Sequence, residues 1–140
     1  MMNKTIRAAI AAIALALPVF AAAPAQATPL IKLMEKDLGQ RRPNGCPSKW
    51  CACYMDQILK RAGFDVRGSF RARDFASYGK NTKVAKVGSI MVMRNHVGVV
   101  MGKCSNGQVK IISGNYSKKV AVGCYPASKA IAWRDPIKAR

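Results

Sequence analysis

From Ser89 to Arg134 the chain is a succession of short apolar runs: SIMVM, HVGVVMG, QVKIISG, KVAVGCY and KAIAWR. Each is rich in Val and Ile, and turn residues separate one from the next, which is the pattern of short strands. The sharpest turn is Ser105-Asn106-Gly107, whose Asn-Gly pair favours a tight hairpin. Five such runs joined by short connections predict an antiparallel meander of about five strands.

The preceding residues follow a different period. Residues 29–39 (PLIKLMEKDLG) place Leu30, Leu33, Met34 and Leu38 at helical spacing, with Gly39 as a stop. A Pro, Asn and Gly-rich loop (QRRPNGCPS) leads to a main helix with Ser48 as its expected N-cap and Gly63 beyond its end. Trp50, Tyr54, Ile58 and Leu59 give that helix an apolar stripe, and a shorter helical piece is expected between Arg71 and Tyr78. Helices first and antiparallel strands second define an α+β domain.

Residues 1–27 stand apart. Lys4 and Arg7 precede an Ala-rich apolar run, and Ala25-Gln26-Ala27 offers a small-x-small cleavage site, the pattern of a signal peptide. The run is short for a membrane span, so no stable membrane insertion is expected. The expected organisation is a signal peptide over 1–27 and a single domain over 28–140, exported to the periplasm or the extracellular space. Lys4 and Arg7 fall in the leader, which leaves 22 basic residues against six acids, a net charge of +16 on 113 residues. Such a field attracts polyanions. For an exported protein the expected partner is an anionic cell-envelope polymer, with no specific nucleic acid.

Export also frames the five cysteines, Cys46, Cys51, Cys53, Cys104 and Cys124, because an oxidising compartment permits disulfides. An odd count leaves at least one thiol unpaired within the chain. The spacing lacks a C-x-x-C knuckle and the chain has one histidine, which argues against zinc. Neither a metal nor an organic cofactor is expected.

Cys51 falls in the first turn of the main helix, where free N–H groups and the positive dipole end favour a thiolate. Cys53 lies about 200° further round the helix, so the two sulfurs cannot share a face. Trp50 is a candidate wall for a cleft at Cys51. If Cys51 is a nucleophile it needs a base, and imidazole is the suitable group near neutral pH. His96 is the one histidine available. Asn115, one strand further on, is the candidate to orient that ring, since adjacent antiparallel strands bring the start of one near the end of the next. Taken singly these residues have plainer readings: a disulfide half, a surface histidine, a turn asparagine. Their order along the chain is what points to catalysis.

The segments WCACY, GSIMVM, HVGVVMG, SGN and the run from Tyr125-Pro126 to Asp135-Pro136 resemble the small NlpC-like and CHAP-like bacterial cysteine hydrolases. The resemblance implies a papain-like fold, with helices on an antiparallel sheet. It assigns Cys51 as nucleophile, His96 as general base and acid, and Asn115 as the residue orienting His96. It further implies hydrolysis of amide bonds in peptidoglycan by an amidase or endopeptidase, with peptidoglycan as partner and room for a cognate partner or immunity protein. The chain departs from the family pattern at Asn95, where Gly is common, and at Cys53. With Cys51 unpaired, the other four cysteines allow three connectivities. Local pairing, Cys46 with Cys53 and Cys104 with Cys124, is the expectation. The rival is a non-catalytic cationic module that binds wall polymer, lipid or nucleic acid, with every cysteine structural.

Overall fold

A computed structural model describes residues 27–140; the expected leader lies outside the described residues, apart from its last residue, Ala27. Two helices, Ala27–Lys36 (α1) and Cys51–Arg61 (α2), and a 3-10 segment, Ala72–Ser77, precede the sheet. The strands are Lys80–Asn81 (β1), Ile90–Met93 (β2), Val97–Lys103 (β3), Val109–Tyr116 (β4), Lys119–Tyr125 (β5) and Ala130–Asp135 (β6). The domain is α+β with an antiparallel sheet. Among the described residues no helix is long and apolar enough to cross a membrane.

The sheet has six strands in the order β1-β6-β2-β3-β4-β5, where a meander of about five was expected. Strands β2 to β5 do form a meander. Strand β6 instead returns across the sheet and pairs with β2, Ile90 opposite Arg134 and Val92 opposite Ala132. That pairing covers an edge of β2 that would otherwise expose free N–H and C=O groups. The two-residue β1 then pairs with β6, Lys80 opposite Asp135.

Helix α2 begins at Cys51, and Trp50 occupies the N-cap position without a side-chain cap bond. Ser48 therefore does not cap it, because the chain turns into the helix two residues later. Burial takes the place of a cap: every residue from Cys51 to Met55 is buried. The other end follows the expected pattern. Gly63 adopts a left-handed φ of 83°, while Phe64 N–H bonds to Leu59 carbonyl at 2.9 Å and Gly63 N–H to Lys60 carbonyl at 3.1 Å. Lys60 and Arg61 in the last turn suit its negative dipole end.

The main core lies between the helices and one face of the sheet. Leu30 and Met34 from α1 meet Trp50, Ile58 and Leu59 from α2, Phe75 from the 3-10 segment, and Ile90, Val92, Val97, Val99 and Ile112 from the strands. A polar tie joins α2 to Asp37, the residue just after α1. Tyr54 Oη–H donates to Asp37 Oδ2 at 3.0 Å, and Arg61 Nη1 meets the same oxygen at 2.6 Å. Beside it, α2 rests directly on β4 at Gly114. A Cβ added there would stand 2.7 Å from Trp50 Cζ3 and 2.7 Å from Tyr54 Cδ1, so only glycine permits this approach.

Candidate active site

Three segments converge beside the N-terminus of α2. Cys51 opens the helix, His96 immediately precedes β3, and Ser113, Gly114 and Asn115 lie near the end of β4. Gly98 lets β3 approach β4 here: a Cβ at that position would stand 2.9 Å from both Ile112 O and Ser113 Cβ. Cys51, His96 and Asn115 all line one cleft of about 600 Å³. The structure thus brings together the three residues singled out from the sequence.

Cys51 is the one free cysteine among the described residues, because Cys46 bonds to Cys53 and Cys104 to Cys124. The first bond spans seven residues and ties the loop before α2 to its first turn; the second joins β5 to the connection between β3 and β4. The Cys51 sulfur sits within reach of the backbone N–H groups of Val97, Ala52 and Cys51 itself, which favour the thiolate. Burial acts more strongly and pushes the thiol above its ordinary value. The helix-terminus expectation of a thiolate is thereby reversed: desolvation outweighs the N–H groups.

His96 is shifted in the complementary sense. Burial lowers its pKa from 6.5 to about 4, so the ring is neutral at neutral pH. Its ring stacks on Tyr125, with centroids 5.6 Å apart and an interplanar angle of 23°. His96 Nε2 and Ser113 Oγ stand 2.8 Å apart. The hydrogen-bond partner of the ring is thus Ser113 rather than Asn115.

The β3–β4 register pairs Val99 with Ile112 and Val100 with Ile111, so its continuation sets His96 opposite Asn115, as the cross-strand argument expected. The β4–β5 register slips between Ser113 and Tyr116, however, and Asn115 takes a left-handed φ of 59°. Asn115 faces the cleft, while the ring meets the hydroxyl of Ser113, which is fully buried. The signal for Ser113 was a lone hydroxyl within the apolar run QVKIISG, two residues before Asn115. Trp50 also differs from expectation. It is 2% exposed and does not line the cleft; it packs edge-on against Tyr54, with centroids 5.9 Å apart, beneath Gly114.

The remaining wall comes from the loop and 3-10 segment after α2. Asp56 accepts hydrogen bonds from the N–H groups of Arg67, Gly68 and Ser69 at 2.6, 2.8 and 3.2 Å, anchoring the turn that delivers Phe70, Arg71 and Arg73 to the cleft. Asp74 accepts from Ser69 Oγ at 2.6 Å and pairs with Arg71 at 3.2 Å, and these bonds hold its carboxyl below the usual range.

The chain belongs to the CHAP domain family, whose model matches residues 42–115. The matched span includes Cys51, His96, Ser113 and Asn115. Among solved structures, the peptidoglycan hydrolase RipB from Mycobacterium tuberculosis shares the fold, with a TM-score of 0.56 at 15% identity. The match covers 82% of this chain and 66% of that one, so the chain spans just under two thirds of its length. No curated protein matches the sequence.

Proposed function

We propose that the protein is an exported cysteine hydrolase that cleaves amide bonds in bacterial peptidoglycan, as an amidase or endopeptidase. The observation that carries this reading is the meeting of the one free thiol among the described residues with the one imidazole of the chain in a single cleft. Family membership and the fold shared with a peptidoglycan hydrolase support the choice of substrate.

With thiol and imidazole both neutral at rest, His96 acts first as a general base. For that role Nε2 carries the ring proton and donates to Ser113 Oγ, which leaves Nδ1 as the acceptor for the Cys51 proton. The sulfur attacks the amide carbonyl as Nδ1 takes that proton. The oxyanion gains stabilisation from the N–H groups at the start of α2. His96 then returns the proton to the departing amine, leaving a thioester on Cys51. Water, deprotonated by His96, attacks the thioester, releases the carboxylic acid and restores the thiol. Ser113 orients the ring and accepts its Nε2 proton in the tautomer this role needs, and Asn115 faces the reacting groups from the cleft wall.

Incubation with purified peptidoglycan, followed by mass spectrometry of released fragments, tests this directly. Cys51→Ala and His96→Gln should each lower the rate by about four orders of magnitude, with unchanged circular dichroism. Undiminished cleavage by Cys51→Ala would sink the assignment. Binding of peptidoglycan without fragments from any version would favour the cationic binding module.

A further inference from the structure

The cleft differs in charge from what catalysis alone requires. Lys49, Arg71, Arg73 and Arg94 line it and no carboxylate does. Four cations among ten lining residues compares with 24 among 140 in the chain, so the cleft concentrates charge beyond the general basicity of the surface. The cations come from separate segments: Lys49 precedes α2, Arg71 and Arg73 flank the start of the 3-10 segment, and Arg94 lies between β2 and β3.

Their pairing separates them further. Asp74 engages Arg71, whereas among the described residues Lys49, Arg73 and Arg94 take part in no ion pair. Both Arg73 and Arg94 are exposed, so their guanidinium forks are available to a ligand. Phe70, 60% exposed on the same wall, offers an apolar surface beside them. Among the described residues no acid lines this cleft, and a carboxylate that binds Arg73 or Arg94 displaces no ion-pair partner. Arginine forks match carboxylate geometry with two parallel bonds.

We infer that the cleft selects peptides carrying free carboxylates close to the scissile amide, and that Arg73 and Arg94 are the specificity residues that hold them. This rests on the hydrolase reading above and names its substrate class: acidic peptides are taken, and the same peptides with their carboxylates amidated are refused. Phe70 covers the aliphatic stem that bears the carboxylate.

The probe is a set of cross-linked peptide fragments from purified peptidoglycan, used as isolated or with their carboxylates converted to carboxamides. Binding is measured by calorimetry on Cys51→Ala, and cleavage is measured separately on the native protein. The unmodified fragments should bind at least about tenfold more tightly, the smallest effect expected of a charge-assisted pair. Arg73→Gln with Arg94→Gln should collapse that ratio towards one, whereas Lys32→Gln with Lys36→Gln on α1 removes equal charge and should preserve it. Equal binding of the two fragment sets would overturn the inference even if both are cleaved, and so would an equal loss from the α1 pair. A carboxylate preference in binding without cleavage of either set would sustain the selectivity and reject the hydrolase reading.

Discussion

At one end of the β3–β4 pair the left-handed residues are glycines; at the other they are not. The connecting turn uses Gly107 at φ 80°, and Gly102 at φ 149° sits at the nearby register shift. At the site end, Asn115, Ser117 and Lys118 adopt φ values of 59°, 52° and 64°. Ser117 and Lys118 form the two-residue connection between β4 and β5, a position that ordinarily favours Asn-Gly. Non-glycine residues in this region each cost on the order of 1 kcal/mol. The turn end thus relieves its geometry with glycine, while the site end retains side chains in the same backbone region.

The comparison breaks most sharply through Ser113. Ser113→Ala should lower kcat about 10- to 100-fold, since it removes the hydrogen bond that positions the His96 ring. Rescue by Ser113→Thr, and an altered histidine tautomer signal in nitrogen NMR, would distinguish positioning from lost packing. An unchanged kcat would mean that the site end owes nothing to this bond.

Acid should destabilise the site end selectively. His96 titrates near 4 when folded and near 6.5 when unfolded, so the unfolded chain binds more protons between those values. Its contribution is fully present above pH 6.5 and is lost as pH falls towards 4, by about 3 kcal/mol. Denaturant unfolding of the native protein and of His96→Gln across this window measures the difference; parallel curves would refute the lowered His96 pKa. The same titration predicts an acid limb of kcat/KM near pH 4, because protonated His96 cannot accept the thiol proton.

The two disulfides give the next contrast. Opening Cys104–Cys124 by paired Ser substitutions frees a separation of 20 residues and should cost about 3 kcal/mol, with kcat intact. Opening Cys46–Cys53 frees only seven and should cost about 2 kcal/mol, yet lower kcat because it loosens the start of α2. Thermal melts and single-turnover rates separate the two effects. A loss of kcat at the distal bond alone would invert the comparison.

The smallest effect is a gain. Ser117→Asn with Lys118→Gly should stabilise the β4–β5 turn by about 1 kcal/mol. Gly107→Ala at the opposite end should destabilise by a similar amount. Chemical denaturation reads both, and matching signs would show that the ends do not differ in backbone strain.

The sequence made the turn end more legible than the site end. Asn106-Gly107 declares its hairpin locally, and the Val and Ile runs declare the strands. The pairing of β6 with β2 depends on which strand edge lies free after folding, information that no local window contains. Ser48 looked like a cap because it carries a hydroxyl before an apolar stripe; the helix starts later because Cys51 to Met55 can all be buried. The free cysteine and histidine were readable because count and chain order limited the choices. Ser113 was missed because a serine in a strand looks solvent-facing until a helix covers it. The thiol shift was misjudged for a related reason: helix position is encoded locally, whereas the depth of Cys51 depends on β3 and β4 closing over it.

The close approach at Gly114 has a mechanical consequence. At Gly114 the Trp50 and Tyr54 rings press against bare backbone, so α2 and β4 meet there with no β4 side chain to yield between them. On the proposed reading, the choice of substrate would fall to the opposite wall, the Phe70–Arg73 segment anchored through Asp56. Reaction geometry and substrate range would then diversify separately, one carried by the α2–β4 contact and the other by the side chains of the Phe70–Arg73 wall.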